Sequence, residues 1–179
     1  MIDVRWYGRG GQGAFTAARI LGRIMSVYKG GYALAYPSFG PERRGAPVWS
    51  FTRISDSKIL DRSNPPVSDY LIILDETLID DETFKVLKED GLVIINTAEP
   101  EKYSELKFRT VCINATKMAQ EYLGRPITNV AMIGAFAAAS GLFEIEDGEK
   151  VLEDTFAPKL FVKNAALLKA SYESVKGGK

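Results

Sequence analysis

Four glycines fall within six consecutive positions near the start of the chain, in the segment YGRGGQGAFTAARIL (residues 7–21). Gly8, Gly10 and Gly13 match the G-x-G-x-x-G spacing and stand between a predicted strand and a predicted helix, as a dinucleotide-binding loop requires. Glycines let the backbone come close to a ligand, and the free N–H groups at the start of a helix favour an anion. The chemistry predicted for this segment is therefore the binding of a phosphate or another anion.

Two long polar side chains, Arg9 and Gln12, stand at the tip of this loop. We expect them to reach outwards, which favours a site shared with another subunit over an anion site within this chain alone. A tight strand-to-helix turn without any ligand is the simplest alternative. The candidate binding residues of the loop are Gly8, Arg9, Gly10, Gly11, Gln12 and Gly13.

The loop falls short of a complete dinucleotide site in one respect. Such a site places an acidic residue at the end of the second strand, where it holds the ribose hydroxyls. Here the second strand runs into YALAYPSFG (32–40), and no carboxylate precedes Glu42. An independent nicotinamide-dependent enzyme is therefore a weaker interpretation.

A second polar cluster lies in YPSFGPERRGAPVWSFTRISD (36–56), where Arg43 and Arg44 are adjacent on a proline-rich loop. Paired guanidinium groups can bind a phosphate or a carboxylate in a bidentate manner. Solvated or intersubunit ion pairs explain them as well, and the aromatic Tyr36 and Trp49 nearby are typical of protein interfaces. Both loops follow strands, so we expect them to lie together at the carboxyl edge of the sheet, where open α/β folds bind ligands.

The composition excludes several kinds of chemistry. The chain has no histidine and one cysteine, Cys112, whereas imidazole triads and His-ligated metals need histidine and an iron–sulfur cluster needs about four thiolates. A salt bridge or a strand-end turn explains the carboxylates Glu42, Asp75 and Glu76 about as well as a chemical role does. We therefore assign no catalytic residue and no metal ligand.

Length and charge place the chain among ordinary globular proteins. It has 179 residues, 46% of them hydrophobic, and its 23 basic residues balance 23 acidic ones. A neutral chain lacks the field expected of a nucleic-acid or membrane-surface binder. The longest apolar runs, 132–143 and 70–74, are too short to cross a bilayer. With no secretory signal recognisable and a single cysteine, we expect a cytoplasmic protein.

Strands that alternate with helices predict one α/β domain over residues 1–175, a three-layer αβα sandwich of the Rossmann-like kind, with a frayed tail at 176–179. The sheet should be largely parallel, but 31–36 and 48–55 lack a crossover helix between them, which favours antiparallel pairing there and a mixed sheet. The predicted strands are 2–7, 31–36, 48–55, 69–76 (central because continuously apolar), 92–97 and 109–115. The predicted helices are 14–28, 79–89, 116–123, 129–140, 146–154 and 160–175.

Taken together, GRGGQGAFTAARIL and YALAYPSFGPERRGAPVWSFTRISD resemble the gamma subunit, or gamma domain, of the 2-oxoacid:ferredoxin oxidoreductases of the pyruvate synthase type. The resemblance continues through DYLIILDETL, GLVIINT, GRPITNVAMIGAFAAASGLF and DTFAPK, and so covers nearly the whole chain. The matching motif positions are 8–13, 42–47 and the PITN segment. Thr128 and Asn129 of that segment open a predicted helix, where the alternative to ligand binding is an N-cap.

This resemblance implies a reaction in which a 2-oxoacid, coenzyme A and oxidised ferredoxin give acyl-CoA, carbon dioxide and reduced ferredoxin. It also implies partner subunits alpha, beta and delta, with thiamine diphosphate between alpha and beta and iron–sulfur clusters on delta and beta. The gamma chain would contribute to the coenzyme A region and to subunit packing, and would be inactive alone. A purely structural scaffold and an independent nucleotide-binding protein are the alternatives, and the choice of 2-oxoacid stays open.

Overall fold

The computed structural model describes residues 1–38 and 45–177, and within them the chain forms a six-stranded sheet with α-helices packed on it. The strands are β1 (Ile2–Arg9), β2 (Tyr32–Pro37), β3 (Pro47–Ser55), β4 (Ser68–Ile73), β5 (Leu87–Asn96) and β6 (Arg109–Ile113). The α-helices are α1 (Ala14–Arg23), α2 (Ala115–Leu123), α3 (Asn129–Ser140), α4 (Ile145–Thr155) and α5 (Pro158–Lys176). A π-helical turn, Ile24–Tyr28, prolongs α1.

The sheet is mixed, with the strand order β2-β3-β1-β4-β5-β6. Strands β1, β4, β5 and β6 are parallel to one another, whereas β3 runs antiparallel to both of its neighbours, β1 and β2. The α/β class and the antiparallel pairing expected after the second strand are confirmed. Strand β4 is central, as its apolar sequence predicted, and Leu71, Ile72 and Ile73 are fully buried.

The helix predicted over 79–89 was wrong. A short 3-10 turn occupies Thr83–Val86, and β5 begins at Leu87. The side chain of Asp80 accepts hydrogen bonds from Glu82 N (3.1 Å) and Thr83 Oγ1 (2.8 Å), while Thr83 Oγ1 accepts one from Asp80 N (2.9 Å). Side-chain bonds of this kind offer the backbone an alternative to a helix.

The two faces of the sheet are covered differently. The main core lies between one face and the α-helices, where Trp6 of β1, Leu21 of α1 and Phe136 of α3 are fully buried. On the opposite face Tyr7 and Ile73 belong to a smaller cluster that short 3-10 turns and loops cover. The third layer of the predicted sandwich therefore consists of turns on this side.

Helix α3 is the central helix of the main core, and it packs closely along α5. A side chain at Gly134 would place its Cβ 2.1 Å from Ser171 Oγ and 2.4 Å from the carbonyl oxygen of Leu168. Such distances are sterically impossible, so the two helices can approach this closely only with glycine at this position.

The segment 56–67 links β3 to β4 across the second face, and two buried arginines hold it there. Arg53 binds Asp3 (2.8 Å) and Asp61 (3.1 Å), and Arg5 donates to the carbonyl oxygen of Pro65 (2.5 Å). Hydrogen bonds from the backbone and side chain of Ser63 and from Arg53 lower the pKa of Asp61 to about 2. This carboxylate therefore stays ionised at neutral pH and binds the segment to Arg53. Arg53 lies at the end of the β1–β3 ladder opposite the glycine loop.

Candidate functional site

The glycine loop begins as a continuation of the ladder between β1 and β3. Gly10 N donates to the carbonyl oxygen of Ala46 (2.9 Å), and Gly45 N donates back to the carbonyl oxygen of Gly10 (3.1 Å). The predicted Arg43 and Arg44 lie outside the described residues, but Gly45, which follows Arg44 directly, is bonded to the glycine loop. Within the described residues, the two segments that the sequence placed at one edge of the sheet do meet there.

Two close approaches explain why the loop needs glycine. A Cβ at Gly8 would lie 3.1 Å from Gln12 Oε1 and 3.2 Å from Leu74 Cβ. Gly13, with φ of +85°, takes the left-handed conformation that favours glycine, and a Cβ there would lie 2.6 Å from Asn129 Nδ2. The loop is therefore packed against both β4 and the start of α3.

The side chains of Arg9 and Gln12 bind neighbouring residues of this chain instead of reaching outwards, contrary to our expectation. Gln12 Oε1 accepts from Arg9 N (2.7 Å), and Gln12 Nε2 donates to Asp75 Oδ2 (2.9 Å). Arg9 Nε donates to the same Asp75 oxygen (3.0 Å), and its other nitrogens bind Gly45 O (3.0 Å) and Thr77 Oγ1 (2.8 Å). These two side chains shape the loop through their hydrogen bonds.

Asp75 stands just beyond the end of β4 and is only 15% exposed in its side chain. Burial alone raises the pKa of its carboxyl group, but hydrogen bonds from Thr77, Gln12 and Arg9 outweigh burial, so the pKa lies below its ordinary value. The group is ionised at neutral pH and compensates the charge of Arg9. It therefore acts as a structural anion that holds both Arg9 and Gln12.

Helix α1 starts from this loop with an open N-terminus. Its N-cap residue, Gly13, has no side chain to cap it, and the first turn carries no acidic residue. Ala17 N makes the first bond back, to Gly13 O (2.9 Å), so the N–H groups of residues 14–16 have no partner within the helix. The residues that carry these N–H groups line a cleft of about 280 Å³, whose lining residues are Arg9, Gly10, Gly11, Gly13, Ala14, Phe15, Thr16 and Val48.

Thr128 and Asn129 lie at the start of α3, as predicted, and both are buried. Thr128 is the N-cap residue, but its side chain makes no capping bond; Asn129 Oδ1 instead accepts from Val130 N (2.9 Å). The Asn129 amide packs on Gly13, so the N-termini of α1 and α3 converge beside the cleft. The structure thus joins two of the predicted motifs.

A larger cavity of about 660 Å³ opens at the same edge of the sheet, beyond the ends of β4, β5 and β6. Sequence reasoning missed it, although polar residues directly after buried strands were the available signal. Glu76 Oε2 accepts from Thr97 Oγ1 (2.8 Å) and Tyr103 OH (2.9 Å), and burial together with this bond raises the pKa of Tyr103. The lining residues are Glu76, Asn96, Thr97, Ala98, Asn114, Thr116, Lys117, Gln120 and Glu121.

No metal-binding cluster of three His, Cys, Asp or Glu side chains occurs in residues 1–38 and 45–177. None of the helices in these ranges is long and apolar enough to cross a membrane. Burial, together with the charge of Glu76, raises the pKa of the Cys112 thiol.

Comparison with known proteins decides the family. The family model described as pyruvate ferredoxin/flavodoxin oxidoreductase matches residues 3–174. The chain belongs to this family. Pyruvate synthase subunit PorC of Methanothermobacter marburgensis is 47% identical over 177 residues, 98% of each chain. The common gamma subunit of the pyruvate and ketoisovalerate oxidoreductases of Pyrococcus abyssi is 44% identical, over 97% of this chain and 96% of that one.

Solved structures agree with the assignment to the gamma-type branch of the pyruvate ferredoxin/flavodoxin oxidoreductase family. The pyruvate oxidoreductase subunit PORC of Thermotoga maritima has a TM-score of 0.84 and 31% identity, covering 96% of this chain and 95% of its own. The 2-oxoglutarate:ferredoxin oxidoreductase of Magnetococcus marinus has a TM-score of 0.82 at 16% identity, over 99% of this chain but 31% of that one. The last likeness concerns the fold alone. The predicted gamma-subunit resemblance is confirmed.

Proposed function

We propose that this chain works as the gamma subunit of a 2-oxoacid:ferredoxin oxidoreductase complex and contributes an anion-binding edge to its coenzyme A region. A phosphate group of coenzyme A would bind the amides of residues 14–16, which have no hydrogen-bond partner within the helix. The observation that carries the proposal is the open N-terminus of α1, which faces a cleft of about 280 Å³ with no acidic residue in its first turn. A cleft of this size accommodates a phosphate group but not a whole cofactor.

The chain's own chemistry supports a division of labour with alpha, beta and delta subunits. An iron–sulfur cluster needs about four thiolates, so the single cysteine of this chain cannot hold such a cluster. Asp75 and Glu76 are both engaged in hydrogen bonds with neighbouring side chains. Thiamine diphosphate chemistry and electron transfer to ferredoxin would therefore belong to the partner chains, with this chain non-catalytic.

The amides at the start of α1 would bind and orient the ligand. The partial positive charge at a helix N-terminus typically stabilises an anion by about 0.3–1 kcal/mol, and by up to ~2 kcal/mol in a partly buried position. Because Arg9 is paired with Asp75, this attraction comes from the backbone and does not depend on a flexible side chain. Such a site recognises charge and shape, which suits a phosphate.

Thr16 allows a test that separates ligand binding from folding. It is exposed, lines the cleft and occupies the third position of α1, where a glutamate can reach back to the N-cap amide and form half of a capping box. In the assembled complex, Thr16→Glu should raise the KM for coenzyme A about tenfold, equivalent to ~1.4 kcal/mol. The same change should leave the isolated chain at least as stable.

The matched control is Thr16→Gln. Glutamine has the same length as the glutamate of the test variant but adds no charge, so the KM for coenzyme A should stay near its original value. The KM for the 2-oxoacid and the recovery of all subunits should be unchanged in both variants, and the isolated chain should show no turnover. An unchanged coenzyme A requirement in a fully assembled Thr16→Glu complex would refute the ligand role.

A scaffold without a ligand site is the second candidate. It is favoured by exposed apolar side chains near the start of α5, where Leu160 and Val162 are 52% and 66% exposed, since exposed apolar patches mark interaction surfaces. Replacing both side chains, by Leu160→Glu with Val162→Glu, tests the scaffold role, because charges on this patch should release the partner subunits on purification while the isolated chain stays folded. Loss of the partners together with an unchanged KM for coenzyme A in the Thr16→Glu complex identifies a scaffold, whereas a raised KM in that complex identifies a ligand-binding subunit.

A further inference from the structure

Asp75 is the point at which the two halves of the glycine loop are joined to the sheet. The first half, at Arg9 and Gly10, is held by ladder bonds to residues 45–46. The second half is held through the side chain of Gln12, whose amide nitrogen donates to Asp75 Oδ2 at 2.9 Å. Arg9 Nε donates to the same oxygen at 3.0 Å, so a single carboxylate oxygen fixes both halves.

The other oxygen of Asp75 fixes the carboxylate itself. Asp75 Oδ1 accepts from Thr77 N (3.1 Å) and Thr77 Oγ1 (2.6 Å), which closes a short turn after β4. All four hydrogen bonds converge on a side chain that the sheet holds in place, 63 residues away from Gln12 in sequence. The loop therefore takes its shape from β4 as well as from its own glycines.

We infer that Asp75 is a positioning residue: it holds the Gly8–Gly13 loop in the form in which the amides at the start of α1 face the anion cleft. The inference rests on the proposed function, since it assumes that this cleft binds coenzyme A through a phosphate. Asp75 does not touch the ligand in this arrangement. Its negative charge is compensated by Arg9, so the pair shapes the loop without repelling an anion.

The test uses the assembled complex. Asp75→Ala releases Arg9 and Gln12 together and should raise the KM for coenzyme A about tenfold, the effect of losing hydrogen bonds to a charged group. The kcat at saturating coenzyme A and the KM for the 2-oxoacid should change less than about twofold. Asp75→Asn keeps an oxygen that can accept from Arg9 or Gln12, so it should recover most of the affinity and it guards against misfolding of the alanine variant.

Asp61 provides a matched control, because it also accepts from an arginine, Arg53, and from the amide two residues ahead, that of Ser63. Asp61→Ala removes one bond from an arginine and one from a backbone amide outside the loop, and it should leave the KM for coenzyme A unchanged. An unchanged or lowered KM for coenzyme A in Asp75→Ala overturns the inference. A lowered KM would mean that Asp75 only neutralises the positive charge of Arg9, which then attracts the anion once the carboxylate is removed.

The Thr16→Glu complex separates this inference from the function on which it rests. If Thr16→Glu raises the KM for coenzyme A and Asp75→Ala does not, the positioning role is wrong and the anion site stands. If neither variant changes the KM, the proposed function itself is wrong.

Discussion

Replacing Gly13 with alanine tests the contact that joins the glycine loop to α3. Gly13 has φ of +85°, and a new Cβ would lie 2.6 Å from Asn129 Nδ2, 3.1 Å from Asn129 Cγ and 3.3 Å from Asn129 Cβ. The amide end can rotate, but Asn129 is buried and its Oδ1 is held by Val130 N. The Gly13→Ala variant therefore meets both backbone strain and a steric clash.

The magnitude follows from these two terms. A left-handed conformation costs a non-glycine residue roughly 1–2 kcal/mol, and overpacking a well-packed site costs about 1–3 kcal/mol more. Gly124, with φ of +69°, has the strain without the clash, because among the described residues none but its chain neighbours would lie within 4 Å of a Cβ at this position. Gly13→Ala should therefore lower the free energy of unfolding by about 2–5 kcal/mol, and Gly124→Ala by only ~1–2 kcal/mol.

Urea unfolding of the isolated chain measures the free energy of unfolding of both variants. A double-mutant cycle with Asn129→Ala then shows how much of the larger loss in Gly13→Ala comes from the clash with Asn129. Removing the Asn129 side chain abolishes the clash, so Gly13 and Asn129 should be coupled by about 1 kcal/mol or more, as is usual for residues in contact. Equal losses for Gly13→Ala and Gly124→Ala, with no coupling to Asn129, would refute the placement of Asn129 against the loop.

Two further predictions concern the rest of the fold. Gly134→Ala should destabilise the chain by at least about 2 kcal/mol, since its Cβ would lie 2.4 Å from Leu168 O; Gly22→Ala, whose nearest contact is 3.4 Å, should be neutral or stabilising because alanine favours a helix. If urea unfolding showed the same loss of stability in Gly134→Ala and Gly22→Ala, the close packing of α3 against α5 would be contradicted. The pKa of Asp61 is lowered to about 2 by bonds from Ser63, so the unfolded chain binds more protons between about pH 4 and pH 2, and stability falls as the pH drops through this window. Asp61→Asn should flatten that fall in a pH series of urea midpoints, and an unchanged slope would show that Asp61 contributes nothing to it.

The sequence alone predicted the features that depend on local chemistry. The glycine spacing located the strand-to-helix turn, and the polar pair Thr128 and Asn129 marked the start of α3 at the residue where the structure begins it. The missing crossover between 31–36 and 48–55 correctly indicated an antiparallel step. Each of these inferences needed only residues close together in the chain.

The sequence could not predict what depends on distant partners. The outward orientation expected for Arg9 and Gln12 was wrong. Their acceptor, Asp75, lies more than sixty residues further along the chain, so the local sequence does not reveal this contact. The helix predicted over 79–89 was wrong because the hydrogen bonds of Asp80 and Thr83, which favour a 3-10 turn there, depend on side-chain geometry. Pairing of Leu87 with Ser68 in the neighbouring strand then draws the following residues into β5.

The inward orientation of Arg9 changes what kind of site the loop can form. An outward arginine would bind whichever anion reached it and would remain flexible without one. Here the guanidinium group is fixed by Asp75, Thr77 and the Gly45 carbonyl, so the loop is formed before any ligand arrives and presents rigid backbone donors at a helix N-terminus. A preformed site loses little conformational entropy on binding. Under the proposed function, such an edge would hold the phosphate end of coenzyme A while the reactive end lies on another subunit. A chain proposed to be non-catalytic would in this way still affect the apparent affinity of the whole enzyme.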